Sequence, residues 1–215
     1  MWKLPIAAIV LIISFMVLAL TAGNPLKDNY RAVSFSSYSS YPAQHKPEGF
    51  VISELRAAAA KTFTVRNKYN QKLCFFIDMS LPSGSPRFFV YDLKKDTVMN
   101  AGLVTHGNCN QYWLEGRQYG NTVGCGCTSL GKYKIGKSYY GKFGLAYKLH
   151  GLDSTNDKAF ERFVVLHSHG CVPDNKREQD ICQSNGCPTV SPSFLNILQA
   201  RIDASEQPVL LWIYE

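Results

Sequence analysis

No internal repeat runs through the 215 residues, which excludes a fold built by stacking one unit. The Lys and Arg residues, 23 against 16 Asp and Glu, are scattered rather than gathered into a basic stripe. No nucleic-acid recognition motif accompanies them, so nucleic acid is not an expected partner. The net charge of +7 reads instead as solubility plus attraction to anionic lipids or wall polymers. "HGNC" (106–109) and "CGC" (125–127) match no common zinc spacing, so neither a metal nor another cofactor is expected. Charge is missing altogether from the run Leu4 to Ala22, and apolar periodicity is missing from Asn24 to Gly49.

These two segments are set apart from the core. Residues 1–22 read as a signal peptide, with the small residues of "TAGNP" suited to cleavage, or as an uncleaved N-terminal membrane anchor. Either outcome exports the remainder, to the periplasm or cell wall, with the membrane a partner if the segment stays attached. Residues 23–49, carrying "SFSSYSSYPAQHKPEG", read as a Ser/Tyr/Pro-rich tether.

Residues 50–215 hold what a core needs; the whole chain is 46% apolar and 13% aromatic. An Ala-rich helix is expected over "FVISELRAAAAKTFTVRNKY" (50–69), burying Val51, Leu55, Ala58, Ala59 and Phe63. Strands are expected at 72–80, 87–93, 97–106, 131–136, 143–152, 162–168 and 208–214, punctuated by turns such as "PSGSP" and "LKKD". A second helix fits 191–202, with Ser191 as N-cap, Pro192 in the first turn, and Phe194, Leu195, Leu198 and Ile202 on one face. The fold class is mainly β with peripheral helices (α+β).

Seven cysteines in an exported chain imply disulfides, and the odd count leaves at least one free thiol. A thiol becomes a strong nucleophile beside an imidazole and backbone N–H groups. Two tetrapeptides offer one: Ser168-His169-Gly170-Cys171 and Ser184-Asn185-Gly186-Cys187. His167 precedes the second by sixteen residues, and His150 precedes the first by seventeen.

The block from His106 onward resembles the murein L,D-transpeptidase catalytic-domain family, in which a His is followed, after a spacer of this length, by Ser-x-Gly-Cys. The resemblance is to the branch whose His ends an Arg-led apolar strand, here "RFVVLH" (162–167), and whose Cys is followed by Pro, here "CPTVSPSFLNIL". It extends to "IDMSLPSGSPRFFVYDL", "THG", "SLGKYKIGKSYYGKFGLAYKLHGL" and "NDKAFER", roughly Phe50 to Glu215. The resemblance implies a β-sandwich or barrel catalytic domain over 50–215, with Cys187 as nucleophile and His167 as base. Asn185 in place of a family His, and Pro188-Thr189 after the Cys, depart from the broad pattern and bear on substrate contacts.

Gly186 fits the nucleophile turn, where backbone N–H groups can face an oxyanion. Ser184 either helps orient His167 or only shapes that turn. His106, Tyr139, Arg162 and Asn185 are candidates for substrate binding, with His106 alternatively a buried structural imidazole and Arg162 alternatively a partner in an ion pair. Cys171 and Cys182 bracket the insertion "VPDNKREQD" and are expected to bridge, which leaves Cys125 and Cys127 to seek Cys74 or Cys109. The implied activity is cysteine-dependent acyl transfer on peptidoglycan tetrapeptide stems, a 3→3 cross-linking L,D-transpeptidation. An L,D-carboxypeptidase and a non-catalytic wall-binding domain are the alternatives.

Overall fold

The computed structural model describes residues 52–215. The run Leu4 to Ala22 and the tether lie outside these residues, and among those described no helix is long and apolar enough to cross a membrane. Eight strands form one sheet: β1 (Leu73–Asp78), β2 (Phe88–Asp92), β3 (Thr97–Gly102), β4 (Gly131–Gly141), β5 (Gly144–Gly151), β6 (Val165–Ser168), β7 (Thr189–Val190) and β8 (Leu210–Tyr214). Their order is β3-β2-β1-β8-β4-β5-β6-β7. Pairing is parallel for β1 with β8 and for β6 with β7, and antiparallel elsewhere.

The edges of this sheet meet. Val104, just past β3, bridges Val190 of β7, and the Thr105 N–H donates to the Thr189 carbonyl at 3.0 Å. The sheet therefore curls toward closure and sets residues 103–107 against the turn that carries Cys187.

β1 is buried on both faces, which is why "LCFF" is a continuous apolar run rather than an alternation. Phe75 and Ile77 face a core shared with Phe88, Val90, Tyr133, Leu211 and the helix α2 (Pro192–Asp203). Cys74 and Phe76 face a second core shared with Tyr91, Leu210 and the helix α1 (Glu54–Arg66). In α2 the Ser191 hydroxyl accepts the Phe194 N–H, and Phe194, Leu195 and Leu198 are buried as the spacing implies. Each of those side chains stabilises the fold by roughly 1.5–3 kcal/mol relative to exposure.

α1 departs from the expected helix. It runs over Glu54–Arg66 behind an N-cap at Ser53, and it buries Ala57, Ala60 and Thr64, whereas Leu55 is 85% exposed and Ala58 and Ala59 face outward. Four consecutive alanines give no decisive stripe, so contacts elsewhere set the rotation. The Arg56 guanidinium lies 3.3 Å from the Tyr214 ring centroid and 5.2 Å from that of Trp212. That contact turns the small Ala57 and Ala60 onto the sheet, where only small side chains permit close approach. Phe63 is half-buried, and Val51 lies outside the described residues.

Candidate active site

His167 sits on β6, whose Leu166 enters the core while His167 and Val165 face the other side of the sheet. Its neighbours in register are Ala146 of β5 and Thr189 of β7. The ring is 5% exposed, because Phe143 at the β4–β5 tip stacks on it at 4.5 Å and 22°. Nδ1 lies 3.1 Å from the Ser168 carbonyl, which only accepts, so Nδ1 carries the proton in this network. Nε2 then accepts from the Thr189 hydroxyl at 3.1 Å. Burial pulls this imidazole below the ordinary histidine range; the Ser168 carbonyl opposes that pull and His169 reinforces it.

Cys187 lies on the loop leading into β7. Its Sγ accepts from the Val165 N–H at 3.5 Å and stands 3.9 Å from the Phe163 carbonyl. Burial pushes the thiol up, while the Val165 N–H and the Arg162 guanidinium act in the opposite sense. Both shifts favour the uncharged form of their group. Among the described residues no hydrogen bond joins Sγ to the ring.

The turn around Cys187 is held by its own carbonyl. That oxygen has hydroxyls at 2.7 Å (Ser184), 3.2 Å (Thr105) and 3.3 Å (Thr189), yet only two lone pairs. The two nearer hydroxyls fill them, which leaves the Thr189 proton for Nε2 of His167. Gly186 adopts φ 103°, and a Cβ there would stand 2.6 Å from the Cys127 carbonyl oxygen, so only glycine lets the turn lie this close. The Gly186 N–H donates to Ser184 Oγ at 3.2 Å, whereas the Cys187 N–H donates to no atom among the described residues.

The structure distributes the remaining expected residues unevenly. Ser184 braces the turn through the Cys187 carbonyl and Gly186 and does not touch His167, whose orienting acceptor is Ser168. Asn185 is exposed at the apex of that turn, and Tyr139 stands on β4 on the His167 side of the sheet, with Lys148 Nζ 5.7 Å from its ring centroid. Arg162 points inward: Nη1 donates to the Gly120 carbonyl at 2.9 Å and to Ser129 Oγ at 3.0 Å, and Nη2 to the Cys127 carbonyl. Those bonds engage the guanidinium beneath the Cys187 turn, so it supports Gly186 rather than presenting an open fork.

His106 is buried as well, with its Nδ1 accepting from Arg87 Nη2 at 3.1 Å. Burial, then the Arg87 and Arg117 charges, lower its pKa to about 4. Its main chain, not its ring, meets the site: the His106 carbonyl accepts the Ser184 N–H at 2.9 Å.

Cys171 is bridged to Cys182 as expected, and Cys109 pairs with Cys127, so none of these four offers a thiolate to a substrate or a metal. Cys74 is a free core thiol and Cys125 a free half-buried one. Six cysteines besides Cys187 thus make two bridges rather than three. Thr189, which meets the His167 ring at Nε2, and Phe143, which stacks on its face, are not among the residues that the motifs mark. The only signal for Phe143 was an aromatic in the tight glycine-bracketed tip "GKFG".

A family model described as the L,D-transpeptidase catalytic domain matches residues 49–214. No curated protein matches. Among solved structures, similarity is found to an L,D-transpeptidase from Xylanimonas cellulosilytica DSM 15894, at 15% identity, covering 71% of this chain and 68% of that one with a TM-score of 0.37. It is also found to the helical cell shape determining protein Pgp2 from Campylobacter jejuni, at 13% identity, 66% and 47% coverage and a TM-score of 0.43. An L,D-transpeptidase from Mycobacterium smegmatis is similar at 11% identity, 67% and 59% coverage and a TM-score of 0.39. The chain spans about half of Pgp2 and under two thirds of the Mycobacterium smegmatis protein.

Proposed function

The chain belongs to the L,D-transpeptidase catalytic-domain family, and from that footing we propose that it catalyses acyl transfer on peptidoglycan tetrapeptide stems with Cys187 as nucleophile and His167 as base. The observation that carries the choice of thiol is the pairing of Cys171 with Cys182, which leaves Cys187 free on the strand connection beside His167.

In this reading the Cys187 thiol gives its proton to His167 Nε2 as Sγ attacks the carbonyl of the third stem residue, displacing Thr189 from that nitrogen. The Ser168 carbonyl holds Nδ1–H and keeps the lone pair on Nε2, where the proton is needed. Negative charge forming on the attacked oxygen is met by the uncommitted Cys187 N–H. The C–N bond then breaks, His167 returns the proton to the departing amine of D-Ala, and a thioester remains on Cys187. A neighbouring stem's side-chain amine resolves the thioester as a 3→3 cross-link, and water resolves it as carboxypeptidase action. We place the reaction outside the cytoplasm, in keeping with the two disulfides.

Incubating the protein with disaccharide-tetrapeptide tests this. D-Ala release with cross-linked dimer supports transpeptidation, and release with tripeptide alone supports the carboxypeptidase. Absence of release would leave a wall-binding domain without turnover.

A further inference from the structure

The sheet face that carries His167 also carries an aromatic surface that the chemistry above does not use. His150 and Lys148 alternate with Ala146 along β5, and Ala146 is the register partner of both Tyr139 and His167, so all of them share this face. Two phenyl rings stack on histidines of this face. Phe160 stacks on His150 at 4.8 Å and 12°, and Phe143 stacks on His167 at 4.5 Å and 22°. They are 50% and 47% exposed, as expected of rings with one side covered and the other open. Between them, Lys148 Nζ lies 5.5 Å from the Phe160 centroid and 5.7 Å from that of Tyr139. The two stacks are four residues along β5 and one strand apart, roughly 14 Å at ordinary strand spacings.

Phe163 adds an independent observation. It holds φ 58°, a conformation that favours glycine, while its ring is 84% exposed and its carbonyl stands 3.9 Å from Cys187 Sγ. A bulky side chain kept in the left-handed region and also kept out of the core serves neither backbone nor packing, which points to a ligand.

We propose that this face is a sugar platform that holds the glycan of the peptidoglycan substrate beside Cys187, an inference that rests on the peptidoglycan reading. Flat rings with an open outer face match the C–H face of a hexose, whose partly positive hydrogens meet the negative face of the ring. Lys148, without an ion-pair partner among the described residues, supplies a donor to the hydroxyl and carboxyl groups around it.

The test is a dissociation constant for two ligands lacking the terminal D-Ala, so that turnover does not intervene: disaccharide-tripeptide and the same tripeptide without sugar. Wild type is expected to bind the sugar-bearing ligand about tenfold more tightly. Phe160→Ala and Phe163→Gly are each expected to narrow that ratio while leaving affinity for the bare tripeptide in place, and Phe163→Gly is expected to melt no lower than wild type. Equal affinity of wild type for both ligands would overturn the platform. So would equal losses for both ligands in the variants, or ring-dependent binding to phosphatidylglycerol vesicles without a sugar preference. Failure of the catalytic reading shows separately, as no D-Ala release from the corresponding tetrapeptides despite a preserved sugar preference.

Discussion

Replacing Gly186 with alanine sets a Cβ 2.6 Å from the Cys127 carbonyl oxygen and 3.2 Å from Arg162 Nη2, at φ 103°. A side chain in that region of backbone space costs on the order of 1–3 kcal/mol. The Cys127 carbonyl is tied to Arg162 and belongs to a residue bridged to Cys109, so it does not retreat without weakening a charge-assisted bond worth about 1.5–3 kcal/mol. The sum for Gly186→Ala is about 2.5–6 kcal/mol, a fall in Tm of about 5–24 °C for a domain of this size. Any part relieved by moving the turn displaces Sγ instead, and a shift of about 1 Å costs on the order of 100-fold in kcat/KM. Calorimetry and D-Ala release report the two shares. Gly124→Ala is the control, since Gly124 has φ 78° with nothing within 4 Å and so carries the backbone cost alone. Wild-type Tm and kcat/KM in Gly186→Ala would refute the claim that a rigid Cys127–Arg162 support shapes the nucleophile turn.

Further outcomes follow from the same geometry. Because burial lowers the His167 pKa and the base must be neutral, the acid limb of kcat/KM is expected below 6.5, with full activity above it; a limb above 6.5 would point to a resting ion pair. His106 is held neutral down to about 4, so between there and 6.5 the unfolded chain takes up a proton that the fold refuses. Stability measured by urea unfolding is therefore expected to be complete above 6.5 and to decline toward pH 4, by about 3 kcal/mol from this group, with the decline reduced in His106→Gln. Removing the Cys171–Cys182 bridge in a double Cys→Ser variant opens a loop of sequence separation 11 and is expected to lower stability by about 3 kcal/mol while activity persists. Loss of all D-Ala release in that variant at unchanged stability would reverse the assignment of thiols.

The strands were largely legible because runs such as "KLCFF" and "RFFVYDL" carry their burial in composition alone. β7 was not, because Thr189 and Val190 make a strand only through partners on β6 and at residue 104. The rotation of α1 escaped for a similar reason: it is set by Arg56 on Tyr214, a contact between residues far apart in the chain. Cys74 reads alike as a disulfide partner or a core residue, and its place inside β1 decides for the core, where burial raises its thiol strongly. At the site, the motif and spacing marked Cys187 and His167, while the directions of Arg162 and His106 depended on which carbonyls and cations the fold brought near. A residue type at a strand start does not reveal whether its guanidinium faces a ligand or a backbone turn.

The central claim is that Cys187, and not Cys171, carries the acyl group. Acid-quenched turnover with disaccharide-tetrapeptide, followed by digestion and mass spectrometry, measures this directly. A disaccharide-tripeptide thioester is expected on the peptide containing Cys187, retained in Cys171→Ala and absent in Cys187→Ala. An acyl group on Cys171 or Cys125, or D-Ala release that survives in Cys187→Ala, would contradict it.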